Sequence, residues 1–297
     1  MTGSVPSHHH GCMTNQIIFV LSAMVAGVVA GACAAPESSP VSRDETLRSD
    51  LERLSRATIF FGHQSVGADI LAGVASLAAR EGIPLRVVET RDACGLAPGT
   101  IGHSFIGENG APSTKVESFR RAFGGDPAQA PELALMKLCY VDFDGSTDVA
   151  ALFSGYRASV EELRRLFPST TFVHVTVPLT ARQGGVKSLV KSMMGRPTSV
   201  SMNAIREKFN TLIRETYRGR EPVFDLARVE STGTDGSVTT SSLGGRDVPM
   251  LIPAYTYDGS HLNEAGREHV ARALVALLAS LEQDSARRQV APAGMVR

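Results

Sequence analysis

The chain has 297 residues, no formal net charge, 43 % hydrophobic and 20 % charged residues. That composition is ordinary for a globular protein and supplies enough length for one large domain with a sizeable core. Balanced charge argues against nucleic acid or an anionic membrane surface as the main partner, and 6 % aromatics with no Trp argue against a broad carbohydrate-stacking platform.

Ile17 to Ala30 is mostly apolar and is followed by Gly31-Ala32-Cys33-Ala34-Ala35-Pro36. The run suits the hydrophobic region of a signal peptide and is short for a bilayer span. Residues 1–33 are therefore expected to direct export to the periplasm or cell envelope. Small residues before Cys33 fit lipoprotein processing, with Cys33 lipidated, and equally offer an ordinary cleavage site. A membrane is expected as a partner only through that anchor. Met13 is a second candidate start, with His8 to His10 an upstream extension, and no Lys or Arg precedes Arg43. With Cys33 as the anchor, Cys94 and Cys139 are the internal cysteines. Export permits one disulfide between them; the competing expectation makes Cys139 a small buried hydrophobe.

Residues 34–46, rich in Pro, Ser and Ala, predict a flexible tether. A single domain is expected over 47–285, with a disordered tail over 286–297. A polar helix is predicted from Asp44 to Arg56, a first strand over Thr58 to Phe61 and a helix over Val66 to Arg80. A second strand is predicted over Leu85 to Glu89, then a Gly-rich connection from Arg91 to Pro112 and a short helix from Thr114 to Phe123. Leu133 to Phe143 predicts the third strand, Val149 to Phe167 an amphipathic helix, and Thr171 to Val177 the fourth strand. Ser201 to Tyr217 predicts a helix, Val223 to Asp225 a brief fifth strand, and Arg228 to Tyr257 a hairpin or an irregular excursion. Asn263 to Glu282 predicts the closing helix. Strands alternating with helices imply parallel βαβ units, and sites on such sheets gather at the carboxyl ends of the strands.

Two stretches carry candidate chemistry. Ile59-Phe60-Phe61-Gly62-His63-Gln64-Ser65-Val66-Gly67 presents a serine between the first strand and a helix, and Tyr257-Asp258-Gly259-Ser260-His261-Leu262-Asn263 opens the last helix. A serine hydroxyl becomes nucleophilic when an imidazole accepts its proton, and a carboxylate must hold that imidazole in one tautomer. Asp258 and His261, three apart, can share a turn; the competing role for Asp258 and Ser260 is helix capping. His63 stands as a substrate contact, a competing base or a cap on the turn.

These stretches resemble the SGNH/GDSL hydrolase superfamily, more closely a secreted branch whose first block reads Phe-Gly-His-Gln-Ser-Val-Gly. The strongest part of the resemblance is Asp258-x-x-His261 before a helix. It implies a three-layer α/β/α sandwich with a mostly parallel, flavodoxin-like sheet, with Ser65 as nucleophile, His261 as base and Asp258 as its orienter. The Ser65 backbone N–H at a helix start is a candidate oxyanion donor. Gly110, in Gly107-Glu108-Asn109-Gly110-Ala111-Pro112, resembles the glycine of the family's second block, and Asn109 is a candidate through its side-chain amide. An ordinary Asn-Gly turn is the alternative there. The third-block Asn of the family has no counterpart: Val141 falls at its place in Lys137-Leu138-Cys139-Tyr140-Val141-Asp142. The oxyanion hole is then incomplete or built with Asn109, Tyr140 or Lys137, and Asp142 is expected to fix the loop.

The resemblance implies an esterase, acetyl-esterase or acyltransferase acting on a small ester or acetylated glycan without a cofactor. The alternative is a non-catalytic envelope carbohydrate-binding or assembly protein on the same scaffold. His63, His103, His174, His261, Asp142 and Asp258 include no pair at the tight spacing of zinc motifs, so no metal is expected. Gly184-Gly185 with Lys187, Lys191 and Arg196 lacks the P-loop order and fits a solvated or substrate-facing basic loop.

Overall fold

The computed structural model describes residues 43–184 and 197–290. The expected signal segment, the tether up to residue 42, Lys187, Lys191 and Arg196 lie outside the described residues. So do 291–297.

Six parallel strands form the central sheet, in the order β2-β3-β1-β4-β5-β6. They are β1 (Thr58–His63), β2 (Arg86–Glu89), β3 (Thr100–Phe105), β4 (Leu133–Met136), β5 (Thr171–Val175) and β6 (Val223–Phe224). The helices are α1 (Arg43–Leu54), α2 (Ser65–Glu81), α3 (Pro112–Ala122), α4 (Val149–Leu166), α5 (Ser199–Tyr217), α6 (Leu226–Ser231) and α7 (Glu264–Val290). A separate antiparallel hairpin joins β7 (Thr240–Leu243) to β8 (Arg246–Pro249). Its turn is Gly244-Gly245, both at positive φ, as a two-residue hairpin turn requires.

Successive strand residues point to opposite faces, and the inner strands are apolar on both. Ile59 and Phe61 of β1, Leu133 and Leu135 of β4, and Val173 and Val175 of β5 pack with α1, α2 and α7 through Leu51, Val74, Leu77, Val270 and Leu274. Phe60, Ala134, Met136 and Phe172 face the other way, onto Phe119 of α3, Val160 of α4 and Phe209 and Ile213 of α5. The result is a three-layer α/β/α sandwich. Burying each large apolar side chain contributes about 1.5–3 kcal/mol, so the two cores hold β1 rigidly from both sides. Packing of α2 on α7 is close at Gly73, where a Cβ would meet the Arg267 carbonyl oxygen at 2.5 Å.

The structure departs from the expected elements in four places. The connection from Arg91 to Pro112 contains β3, which the Gly-rich composition hid. β3 is inserted between β2 and β1, and Gly102 packs beneath the end of the Leu96 side chain, whose Cδ2 would stand 2.7 Å from an added Cβ. The third strand, expected to reach Phe143, ends at Met136. The chain then turns at Tyr140–Asp142, because the Asp142 carboxylate accepts the Cys139 N–H at 2.6 Å. The excursion from Arg228 to Tyr257 contains a hairpin, β7–β8, as one of its two expected forms had it, and departs only in opening on the end of α6. Finally, α1 begins at Arg43, inside the segment assigned to the tether, and α7 continues to Val290, past residue 285. Cys94 and Cys139 are free thiols, and Cys139 is buried. No helix among the described residues is long and apolar enough to cross a membrane.

Candidate active site

β1 delivers its chain to the carboxyl edge of the sheet, where Gln64 takes an extended conformation and Ser65 begins α2. The Gln64 carbonyl accepts the N–H groups of Gly67 and Ala68 at 2.8 and 3.2 Å. As the first residue of the helix, Ser65 has a backbone N–H that needs no intrahelical partner, and it has none among the described residues. The Gln64 amide donates to the carbonyls of Ile106 and Gly107 at 2.8 and 3.0 Å. That fastens the loop after β3 beside the serine.

Asp258 and His261 approach from the turn before α7. Ser65 Oγ lies 3.0 Å from His261 Nε2, and His261 Nδ1 lies 2.6 Å from Asp258 Oδ2. The other Asp258 oxygen accepts the backbone N–H groups of Ser260 and His261 at 2.8 and 2.7 Å. This carboxylate therefore shapes its own turn and holds the imidazole. Burial opposes its ionisation. The hydrogen bonds from His261 and Ser260 prevail and hold the carboxyl well below the usual carboxylate range. Gly259 takes φ 91° at the apex, a left-handed conformation that suits glycine. Helix capping falls to Asn263, whose side-chain oxygen accepts the Gly266 N–H at 3.0 Å, so the capping role weighed for Asp258 and Ser260 belongs to Asn263.

Asp69 was not singled out from sequence. It is buried one turn after Ser65, accepts the Leu262 N–H at 3.1 Å and pairs with Arg267. This residue links the serine-bearing helix to the turn that carries His261. The available signal was a carboxylate inside the apolar stripe of α2. Tyr140 meets the His261 ring edge-on at 5.9 Å, and the exposed Tyr257 lies over it at 6.0 Å, nearly parallel.

The remaining expected site residues are placed differently. His63 has no exposed surface. Its Nδ1 contacts the Gln64 carbonyl at 2.8 Å and its Nε2 contacts His103 Nδ1 at 3.1 Å. Burial pushes its pKa down to about 3, against the pull of the Gln64 carbonyl and with smaller contributions from Lys137 and His103. Of the three roles open to His63, these contacts speak against the substrate contact and the competing base and fit the cap on the strand-to-helix turn. Gly110 donates its N–H to Asp142 Oδ1 at 3.0 Å; that group is occupied, which corrects its assignment as an oxyanion donor.

Asn109 is exposed and accepts from Lys115 Nζ through its side-chain oxygen at 2.9 Å. Its amide nitrogen has no partner among the described residues. Lys115 and Asp142 form a fully buried ion pair at 2.7 Å. Asp142 also holds Gly110 and Cys139, so the loop-fixing role expected of it is what the contacts show. Val141, where the third-block Asn would stand, is 42 % exposed. Lys137 is fully buried and donates to the Leu138 carbonyl at 3.3 Å, which removes it as an oxyanion donor. His174 is bound to Tyr156 and Glu221, outside the serine–histidine–aspartate set.

No protein-family model matches the chain, and no curated protein matches it. Among solved structures, the chain is similar to a carbohydrate esterase family 3 protein from Talaromyces cellulolyticus. Identity is 15 %, with 76 % of this chain and 98 % of that chain covered and a TM-score of 0.44. It is similar to the periplasmic domain of a lipopolysaccharide acetyltransferase from Salmonella ser. Paratyphi A, at 11 % identity over 74 % and 83 % of the two chains and a TM-score of 0.42. It is also similar to a lipolytic protein assigned to the G-D-S-L family from Desulfitobacterium hafniense DCB-2, at 9 % identity over 74 % and 99 % and a TM-score of 0.42. The chemistry of the site rests on this chain's own residues. These residues are a serine after the first strand and an Asp-x-x-His turn before the last helix, brought together at the carboxyl edge of a parallel α/β sheet.

Proposed function

We propose that the chain is an exported serine esterase or acyltransferase of the SGNH type, acting on a small ester or an acetylated glycan. The observation that carries this proposal is the continuous hydrogen-bond chain from Ser65 through His261 to Asp258. In the proposed reaction Ser65 Oγ attacks the ester carbonyl while His261 Nε2 takes the hydroxyl proton. Asp258 holds the Nδ1 proton and stabilises the imidazolium. Negative charge on the carbonyl oxygen is met by the Ser65 N–H, aided by the positive end of α2, and by the unpartnered amide nitrogen of Asn109. Collapse of the tetrahedral intermediate breaks the ester C–O bond, and His261 returns its proton to the leaving alcohol. Water, or a second alcohol in the transfer version, then attacks the acyl-Ser65 carbonyl with His261 again as base, and collapse of the second tetrahedral intermediate breaks the Ser65 Oγ–acyl bond as His261 returns the proton to Oγ. The chain's own groups suffice for these steps, and the proposal includes no cofactor. Export rests on the apolar run before Cys33, as does a lipid anchor at that cysteine.

A second proposal, a non-catalytic glycan-binding protein, is favoured by two observations: Val141 at the third-block position and the engagement of the Gly110 N–H by Asp142. Fluorophosphonate labelling of the 37–297 domain, read by intact mass, separates the two. The esterase proposal expects one adduct on the wild type, none on Ser65→Ala and slow labelling of His261→Ala. A folded wild type that takes no adduct would overturn it in favour of glycan binding.

A further inference from the structure

A cavity of about 390 Å³ is walled by the Asp258–Ser260 turn and by Tyr140, Thr180, Thr198, Ser199, Met202 and Arg206. Its volume falls in the range of small-molecule sites. Arg206 is the unusual member. Only 4 % of it is exposed, yet its hydrogen bonds go to uncharged oxygens. Nε donates to the Tyr140 carbonyl at 3.0 Å, and one terminal nitrogen, Nη1, donates to the Thr180 hydroxyl and the Asn203 side-chain oxygen. The other, Nη2, has no partner among the described residues, and Arg206 makes no ion pair there. A buried charge is ordinarily paired, because its lost hydration is offset only by strong partners.

The nearby acids do not supply that partner. Glu230 spends one carboxyl oxygen on the Leu179 N–H at 2.6 Å, and burial pushes its pKa up to about 8. Asp258 is bound to His261, and Asp144 accepts from Ser146 and Thr147. The unpartnered Nη2 is thus an open position for an anion. Its N–H groups can donate to a carboxylate oxygen, and the single charge of a carboxylate balances that of one guanidinium. A dianionic phosphate would bring excess charge between Asp144 and Asp258.

We propose that this cavity is a subsite for a carboxylate group on the substrate, bound by Arg206. Tyr140 faces His261 and also walls the cavity, as do Asp258 and Ser260, so the cavity adjoins the turn that carries the histidine. The preferred substrate is an ester of an acidic sugar or of a comparable small hydroxy acid. This inference rests on the esterase proposal for the identity of the bound molecule as a substrate. The subsite itself can be measured without turnover.

The test is equilibrium binding of D-glucuronate, its methyl ester and glucose 6-phosphate to the full chain by titration calorimetry. Wild type is expected to bind glucuronate at least ten-fold more tightly than either of the other two. The preference should disappear in Arg206→Gln. It should also disappear in Met202→Glu, which keeps Arg206 and places a carboxylate one helical turn away from it. Equal binding of glucuronate and its methyl ester by the wild type would overturn the subsite, as would a preference that survives in Met202→Glu or tighter binding of glucose 6-phosphate. Fluorophosphonate labelling of the same samples separates the two proposals. A carboxylate preference without a Ser65 adduct retains the subsite and removes the esterase; an adduct without the preference does the reverse.

Discussion

Gly67→Ala sets helix propensity against sterics, and the two disagree in sign. Inside a helix, Ala is favoured over Gly by about 1 kcal/mol. At position 67 the added Cβ would stand 2.3 Å from His63 Cβ, 2.4 Å from its Cγ and 2.8 Å from its Nδ1. Carbon atoms in good contact sit about 3.5–4 Å apart, so β1 and α2 must separate by about 1 Å. Rotation of the imidazole brings no relief, because the nearest obstacle is a Cβ carried by a strand packed on both faces. Overpacking of this kind costs about 1–3 kcal/mol and occasionally more, and the fixed position of the obstacle places the cost at the upper end. After the propensity gain, a net loss of about 2 kcal/mol is expected in urea unfolding. The same displacement moves Ser65 relative to His261, and a 1 Å misplacement costs about 100-fold in rate; fluorophosphonate labelling should slow at least ten-fold. His63→Ala should not rescue either property, since it retains the Cβ. A Gly67→Ala protein as stable as the wild type, or more so, would refute this account of the turn.

Asp258→Asn should preserve the fold, because its side-chain oxygen can still accept the turn N–H groups, while ester turnover falls by about 10⁴ through loss of the correct imidazole tautomer; a loss below ten-fold in kcat would sink the orienting role. Asp142→Asn and Lys115→Met each leave a buried charge unpaired and should cost about 3–5 kcal/mol in urea unfolding. The double variant should lose less than their sum, and additive losses would show that the pair is not coupled. Acid should destabilise the protein through its buried histidines. Burial lowers the pKa of His63 to about 3 and also lowers those of His103 and His174. Below about pH 6.5 the unfolded chain therefore binds protons that the native state refuses, and stability falls with falling pH. His63 accounts for up to about 1 kcal/mol per pH unit down to its folded pKa. His63→Gln should flatten the dependence of the urea midpoint between pH 6 and 4, and an unchanged slope would contradict the burial.

Much of the frame was legible because it depends on local pattern. Apolar runs of strand length alternating with amphipathic helices implied the parallel sandwich, and a serine after the first strand with Asp258 and His261 before the last helix implied their meeting at one sheet edge. The structure brings those three side chains within hydrogen-bond distance. Tertiary structure decided what depends on distant partners. Thr100–Phe105, with Gly102, His103 and Ser104, has little strand character of its own and becomes β3 by pairing with β1 and β2. His63 could be a substrate contact, a competing base or a cap on the turn by sequence, but both of its ring nitrogens are engaged, one with the Gln64 carbonyl and one with His103. The Gly110 N–H looked free until Asp142, 32 residues away, claimed it. Lys115 and Arg206 look like surface charges in a sequence, since burial of a charge is a property of whatever packs over it. Periodicity and short spacings report what a segment tends to form. Only the assembled fold determines which donors, acceptors and charges are left for a ligand.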